Sequence, residues 1–134
     1  MRLMHVGLRV HVIGEVTTPP IEAGDLLVIG SGSGETASLC SMAQRARHLG
    51  AGLALVTIAT SSTIGRLADT VIRLDAPSPK VIPASGATTR TSIQPMGSLF
   101  EQALLLLLDT VVLRLAAARG TSPDEMFTRH ANLE

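Results

Sequence analysis

Apolar residues in the first half of the chain cluster into short runs separated by glycines and polar turns. Three runs rich in valine, leucine and isoleucine cover residues 9–13, 25–29 and 53–58, and a weaker run covers residues 70–74. Runs of this length and composition are typical of strands buried on both faces of a parallel sheet. The pattern therefore predicts a sheet of short parallel strands.

Helical spacing fills the intervals between these runs. In residues 35–49 apolar side chains recur every three or four positions, and Gly50 follows as a stop signal. Residues 62–68 can form a shorter helix, and residues 1–7 resemble the end of a helix that leads into the first run. This alternation of strand and helix is typical of an α/β fold with right-handed crossovers.

The second half of the chain has a different pattern. Residues 75–90 are rich in proline, serine and threonine and are predicted to form a loop. A long helix is predicted over residues 95–119, with Pro95 in its first turn and Gly120 after its end. This helix is apolar around much of its circumference over residues 104–115, which is more than one face of a sheet can cover.

The C-terminal residues carry one further helix signal. Ser122 and Glu125 form a capping box, which predicts a short helix over residues 122–127 within a tail of residues 120–134. The sequence contains no internal repeat. We therefore expect a single domain over residues 1–134.

Composition narrows the class of function. The chain has 134 residues, is 46% hydrophobic and carries 11 basic against 11 acidic side chains, with no Trp or Tyr. This neutrality and the lack of aromatic platforms disfavour nucleic acid or an anionic membrane as the partner. The apolar run at residues 103–108 is far shorter than the about 20 residues of a membrane span. A lone cysteine, Cys40, fits a reducing compartment, so we expect a cytoplasmic protein that acts on a small molecule.

The clearest chemical motif is a glycine- and serine-rich turn between a predicted strand and a predicted helix. It reads Gly-Ser-Gly-Ser-Gly-Glu-Thr over residues 30–36. Free N–H groups at a helix start favour an anion, and the hydroxyl groups here add further donors. We predict that this turn binds a phosphate monoester without a metal, through Ser31, Gly32, Ser33 and Thr36.

Three other interpretations of this turn deserve comparison. A nucleotide P-loop needs a lysine at the helix start, and the turn has none. A dinucleotide fingerprint needs an acid at the end of the next strand, but no acid occurs between Glu35 and Asp69. A glycine-rich turn without any ligand is the third alternative, although three hydroxyl groups exceed what a turn requires.

The motif from Asp25 to Thr36 resembles the signature of sugar isomerase (SIS) domains. The block Ile-Gln-Pro-Met-Gly-Ser-Leu-Phe-Glu-Gln at residues 93–102 and the terminal residues 126–134 resemble 6-phospho-3-hexuloisomerases more specifically. The resemblance covers essentially the whole chain. It implies a three-layer parallel sheet in flavodoxin-like order. It also implies interconversion of D-arabino-3-hexulose 6-phosphate and D-fructose 6-phosphate in the ribulose monophosphate pathway of formaldehyde fixation. That reaction passes through a cis-enediolate and needs no metal or redox cofactor.

Members of that family begin earlier, with a helical segment and a central strand that carries a Gly-Ala-Gly-Arg-Ser-like loop. We therefore expect this chain to be N-terminally truncated, and the arginine and glycine contacts of that loop have no counterpart in it. A sugar-phosphate-binding module without catalysis, or an inactive fragment, is the alternative to an active isomerase.

The resemblance implies that Glu101 is the catalytic base. Apolar neighbours at Leu99, Phe100 and Leu104 would shield its carboxyl group from water and tune it for proton transfer. The alternative is an exposed carboxylate that is stabilised near a helix N-terminus.

His130 is the candidate proton shuttle, or the group that assists ring opening, because an imidazole exchanges protons near neutrality. An incidental surface histidine is the alternative. In SIS enzymes such a residue can reach the site of a neighbouring subunit. We therefore expect a homo-oligomer, a dimer or tetramer, with the leucine-rich helix between subunits.

The remaining candidates are less specific. Thr57 and Ser62 lie at or after the end of the third predicted strand, at the carboxyl edge where open α/β sheets bind ligands, and could help to hold phosphate. Gln94 and Ser98 flank Glu101 and could contact sugar hydroxyl groups, although helix capping explains them about as well. Lys80 and Arg90 could supply positive charge. The other histidines show no metal-like pairing and are interpreted as structural or exposed, and Cys40 as a buried thiol without a partner base.

Overall fold

A computed structural model describes residues 1–79, 81 and 92–133. Lys80, Arg90 and most of the predicted loop over residues 75–90 lie outside the described residues. In chain order the elements are α1 (Arg2–His5), β1 (Leu26–Gly30), α2 (Ala37–His48), β2 (Gly52–Thr57), α3 (Thr63–Leu67), β3 (Thr70–Arg73), α4 (Ser98–Arg119) and α5 (Pro123–Thr128).

The described strands form one parallel sheet in the order β1-β2-β3. Leu27 of β1 pairs with Leu53 of β2, and Leu55 of β2 pairs with Val71 of β3. Two helical crossovers connect the strands, α2 between the first pair and α3 between the second. The predicted α/β class with a parallel sheet is confirmed.

The core lies between the sheet and the two crossover helices. Its buried members are Ile29, Ala43, Leu53, Leu55 and Ile64. Alanine at the centre of α2 lets the helix approach the sheet closely, while the β2 leucines fill the space between. Burial of these aliphatic side chains is the main force that fixes the sheet.

The strand predicted over residues 9–13 is absent, and the segment is irregular. Val12 and Ile13 are 59% and 53% exposed. The carbonyl oxygen of Val12 accepts hydrogen bonds from Glu15 N at 3.1 Å and Thr18 Oγ1 at 2.8 Å. A turn therefore uses the acceptor that a parallel ladder would need, and among the described residues no strand pairs with this segment.

The predicted long helix begins later than expected, at Ser98. The carbonyl oxygen of Pro95 accepts a hydrogen bond from Ser98 N at 3.1 Å, and Met96 has a φ of 53°. A left-handed residue cannot belong to a right-handed helix, so Pro95 lies in a turn before α4.

The capping box of α5 is confirmed in both directions. Ser122 Oγ accepts from Glu125 N at 3.1 Å, and Ser122 N donates to Glu125 Oε2 at 2.8 Å.

The chain divides into two compact units. The sheet unit, Pro20–Leu104, holds the three strands, α2, α3 and the first two turns of α4. The terminal unit combines Met1–Pro19 with Leu105–Glu134 and holds α1, α5 and the rest of α4. The single domain over residues 1–134 stays a prediction. None of the helices that the structure describes is both long and apolar enough to cross a membrane.

Candidate functional site

The serine turn (residues 31–36) connects β1 to α2 and closes on itself through its own hydroxyl groups. Ser31 Oγ accepts a hydrogen bond from Gly34 N at 3.1 Å, and Ser33 Oγ accepts one from Glu35 N at 3.3 Å. A hydroxyl group that accepts from an N–H still has its own hydrogen to donate. Both serines can therefore shape the turn and donate to an anion at once.

The N-terminus of α2 adds donors that no side chain of the described residues caps. Thr36 is the N-cap residue, with φ −63° and ψ 118°, and its side chain makes no capping hydrogen bond. The first turn of a helix leaves N–H groups without intrahelical partners, and the helix dipole is positive at this end. The Thr36 hydroxyl and these N–H groups are thus available to a phosphate group.

The end of β2 holds the serine turn in place. Ser31 N donates to Val56 O at 3.0 Å, and Ile58 N donates to Gly32 O at 3.1 Å. Thr57 Oγ1 donates to Gly32 O at 3.0 Å and accepts from Ala59 N at 3.1 Å. The Thr57 side chain is buried and its one hydroxyl hydrogen is already donated to Gly32 O. Thr57 therefore stabilises the serine turn through its hydrogen bond to Gly32 O. Its direct contact with substrate stays a prediction.

Gly34 packs against the turn that precedes α3. Its φ is +63°, and a methyl group built on it would overlap the Ser62 side chain. Ser62 is buried, and its Oγ accepts from Gly65 N at 3.2 Å as the N-cap of α3. Ser62 therefore serves the packing of two turns, and its role in substrate contact also stays a prediction.

The first turns of α4 pack on the serine turn and the strand before it. A methyl group built on Gly30 would lie 2.6 Å from Leu104 Cδ2, and one on Gly32 would lie 3.8 Å from the Phe100 ring. Glycine at both positions permits this close approach. Phe100 directly precedes Glu101, so the contact brings the α4 backbone at Glu101 to the serine turn.

The predicted shielding of Glu101 by apolar neighbours is wrong for this chain, because its side chain is exposed. Successive residues of a helix point about 100° apart. Phe100 takes the inward direction and is buried, which turns the next side chain toward solvent. The carboxyl group is accordingly accessible to a ligand from outside.

Two polar atoms near the start of α4 are buried without hydrogen-bond partners among the described residues: Gln94 Oε1 and Ser98 Oγ. Gln94 also donates from Nε2 to Gln102 Oε1 at 3.1 Å. Buried polar atoms are normally paired, so a sugar hydroxyl group or water is one kind of partner that these two atoms could take. Among the described residues the Ser98 hydroxyl group makes no helix-capping hydrogen bond.

His130 lies in the terminal unit, where its ring centroid is 5.2 Å from that of His5. His130 Nδ1 lies 3.0 Å from Ala131 O. His5 is buried, and its Nε2 has no hydrogen-bond partner among the described residues. Arg129 Nη1 donates to His5 O at 2.9 Å and joins the two chain ends.

Sequence reasoning missed this histidine pair and interpreted His5 as structural or exposed. The two residues are at opposite ends of the chain, so spacing gives no signal for their contact. Among the residues described, no three His, Cys, Asp or Glu side chains come together as metal ligands.

A model of the SIS domain matches residues 9–106. The 3-hexulose-6-phosphate isomerase of Bacillus subtilis is 52% identical over 134 residues, and the match covers 100% of this chain and 70% of that protein. The Mycobacterium gastri protein of the same name is 43% identical, with 100% of this chain and 65% of that protein covered.

A solved structure from Methanococcus jannaschii was interpreted as a 3-hexulose-6-phosphate isomerase. It superposes with a TM-score of 0.82 at 29% identity, covering 99% of this chain and 68% of that one. Because the family model matches well over half of the residues, the chain belongs to the SIS domain family.

Proposed function

We propose that the protein is a sugar-phosphate isomerase that interconverts D-arabino-3-hexulose 6-phosphate and D-fructose 6-phosphate. Relatives that match this whole chain at 52% and 43% identity are named 3-hexulose-6-phosphate isomerase. The observation that supports the proposal is the packing of Phe100 on Gly32 of the serine turn and of Leu104 on Gly30 of β1, which brings the first turns of α4 close to the proposed phosphate site. This activity belongs to the ribulose monophosphate pathway of formaldehyde fixation.

The phosphate end of the substrate binds at the serine turn, where Ser31, Ser33 and Thr36 donate to its oxygens. Moving the carbonyl group from C3 to C2 requires loss of a proton from C2 and its return to C3. Glu101 removes the C2 proton, which leaves a cis-enediolate, and then delivers the proton to C3. Gln94 and Ser98 contact sugar hydroxyl groups with their orphan atoms.

The oxygen protons must also move, because the C2 hydroxyl group becomes the carbonyl and the C3 carbonyl becomes a hydroxyl group. His130 shuttles this proton between the two oxygens or assists ring opening, and it reaches the substrate from a neighbouring subunit. The proposed assembly is a homo-oligomer, a dimer or tetramer. With a single cysteine, the chain suits the reducing cytoplasm, and neither nucleic acid nor a membrane is a proposed partner.

The base is tested with Glu101→Gln, which keeps the size of the side chain and removes its basicity. We expect isomerisation of 3-hexulose 6-phosphate to fall by about 10²–10⁴-fold. The affinity for fructose 6-phosphate, measured by calorimetry, should change less than about threefold, because the phosphate contacts remain. Glu22→Gln removes another exposed carboxylate of the sheet unit and serves as the control. Unchanged turnover in Glu101→Gln would remove this residue as the base.

The phosphate cradle is tested by replacing Ser31 and Ser33 together with alanine. Loss of two hydroxyl donors should weaken fructose 6-phosphate binding by about tenfold or more. An equal dissociation constant in calorimetry would exclude the serine turn as the phosphate site, whatever happens to turnover.

A further inference from the structure

We propose that Glu35 is a positioning residue whose carboxylate ties the serine turn to the start of α3 and so presets the phosphate cradle. Glu35 Oε1 accepts a hydrogen bond from Thr63 N at 2.7 Å, across 28 positions of sequence. The inference rests on the proposed function, since it assigns a purpose to the shape of the phosphate site.

The contact satisfies an orphan donor at a helix start. Thr63 is the first residue of α3, where backbone N–H groups have no intrahelical acceptor. Ser62 Oγ accepts a hydrogen bond from Gly65 N, and Glu35 Oε1 accepts one from Thr63 N. Two side chains, one of them from the serine turn, therefore complete the N-terminus of α3.

The ionised form of Glu35 suits this task. Hydrogen bonds from the Thr63 backbone and hydroxyl group, together with the charge of Arg66, outweigh desolvation and lower the pKa of Glu35. A charged acceptor makes a shorter and stronger hydrogen bond than a neutral one. The same contact points the negative charge of Glu35 at the start of α3, although Glu35 itself lies in the turn that we propose binds an anion.

The two turns already meet at Gly34. Ile64 N donates to Gly34 O at 3.2 Å, and Gly34 packs against the buried Ser62 side chain. In addition to its contacts with the end of β2, the serine turn is thus held against the α3 side at Gly34. The Glu35 contact adds a second point directly before Thr36, and two points fix the orientation of the segment that carries the hydroxyl donors.

The donor can be removed without removing α3. Proline is tolerated at the first position of a helix, and Ser62 has the extended conformation, φ −70° and ψ 170°, that precedes proline readily. Thr63→Pro thus deletes the N–H that Glu35 uses. Thr63→Ala keeps that N–H, and Glu22→Ala controls for loss of an exposed carboxylate from the same unit.

The readouts are the dissociation constant of fructose 6-phosphate and the separate KM and kcat for isomerisation. We expect Glu35→Ala and Thr63→Pro each to raise Kd and KM about tenfold, with kcat within about twofold. The double variant Glu35→Ala/Thr63→Pro should bind no more weakly than either single variant, since both substitutions remove the same contact. Glu35→Gln keeps an acceptor oxygen and should restore Kd to within about threefold of the starting value.

Four results would overturn the proposal: an unchanged Kd in Glu35→Ala, multiplied losses in the double variant, a full loss in Thr63→Ala, or a change confined to kcat. Circular dichroism monitors folding. If Glu35→Ala unfolds, the Kd values of Thr63→Pro and Glu35→Gln test the proposal instead. If the unmodified protein binds fructose 6-phosphate but does not isomerise it, the proposed function fails while the Kd series still tests Glu35.

Discussion

At the scale of single residues, Gly34 sets the geometry of the site. Its backbone has a φ of +63°, and a side chain there would overlap Ser62. Its N–H also closes the serine turn by donating to Ser31 Oγ. One position thus meets a conformational, a packing and a hydrogen-bonding requirement, and only glycine satisfies the first two.

Gly34→Ala should therefore lower the free energy of unfolding by more than the left-handed backbone conformation alone accounts for. Gly120 has nearly the same φ, +64°, but open space where a side chain would go, so Gly120→Ala is the matched control. We expect about 1–2 kcal/mol of unfolding free energy to be lost in the control. Gly34→Ala should lose a further 1–3 kcal/mol, about the cost of overpacking. Urea unfolding measures both free energies. Equal losses would contradict the prediction, because they would show that the Ser62 side chain moves aside without destabilising the protein.

The position of Ser31, Ser33 and Thr36 in one turn between β1 and α2 was predictable because a local motif marks it, and their role in phosphate binding stays a prediction. The structural use of Thr57 and Ser62 does not, because it depends on how closely two turns approach. The His5–His130 contact is also invisible in the sequence, since it depends on where the two chain ends meet.

At the scale of elements, Asp69 joins three of them. It stands between α3 and β3, accepts from Leu53 N of β2 at 2.8 Å, and pairs with Arg47 Nη1 of α2 at 2.7 Å. Asp69 lies in the connection between α3 and β3, and its carboxylate contacts both β2 and α2. It therefore ties the edge strand β3 to the rest of the sheet unit.

These contacts of the Asp69 carboxylate should make the free energy of unfolding depend on pH. The Leu53 N–H, followed by the charge of Arg47, lowers the pKa of Asp69 in the folded protein. A depressed folded pKa adds stability above the unfolded value of about 3.9, and that stability disappears as pH falls through the folded value. The difference in Tm between the unmodified protein and Asp69→Asn should thus be largest near neutrality and shrink below about pH 4.

Thermal unfolding at several pH values measures this difference, with Glu22→Gln as the control for loss of a surface charge. A Tm difference that stays constant from pH 7 to pH 3 would contradict a role for the ionised Asp69 carboxylate.

Element prediction succeeded where caps and local spacing agree, as for α2, α3 and the three strands of the sheet. It failed for residues 9–13, because an apolar run becomes a strand only when a neighbouring strand takes its backbone groups. The start of α4 shifted because Met96 is left-handed, and no pattern of apolar positions reveals that.

At the scale of the whole molecule, α4 leaves an apolar surface in the terminal unit. Leu105, Leu106 and Leu113 are 61%, 69% and 67% exposed. Leu106 and Leu113, seven positions apart, lie within about 20° of each other around the helix axis, and Leu105 lies about 100° from Leu106. Clustered exposed leucines of this kind are typical of a surface that another protein covers.

We expect this surface to hold the proposed homo-oligomer together. Leu106→Glu combined with Leu113→Glu should shift the mass in light scattering toward the monomer at micromolar concentration, because charge is depleted from the cores of such interfaces. Val16→Glu, at a fully exposed apolar position of the same unit, should leave the mass unchanged. A monomeric unmodified protein would refute the assembly itself.

The sheet also has practical significance for handling the protein. Among the described residues β1 has a strand neighbour on one side only, and Leu26 and Val28 along it are 62% and 50% exposed. An apolar strand with one unpaired edge acts as a template for extended segments of other chains. We therefore expect concentrated preparations to be prone to cross-β aggregation, and we expect Val28→Lys to reduce it.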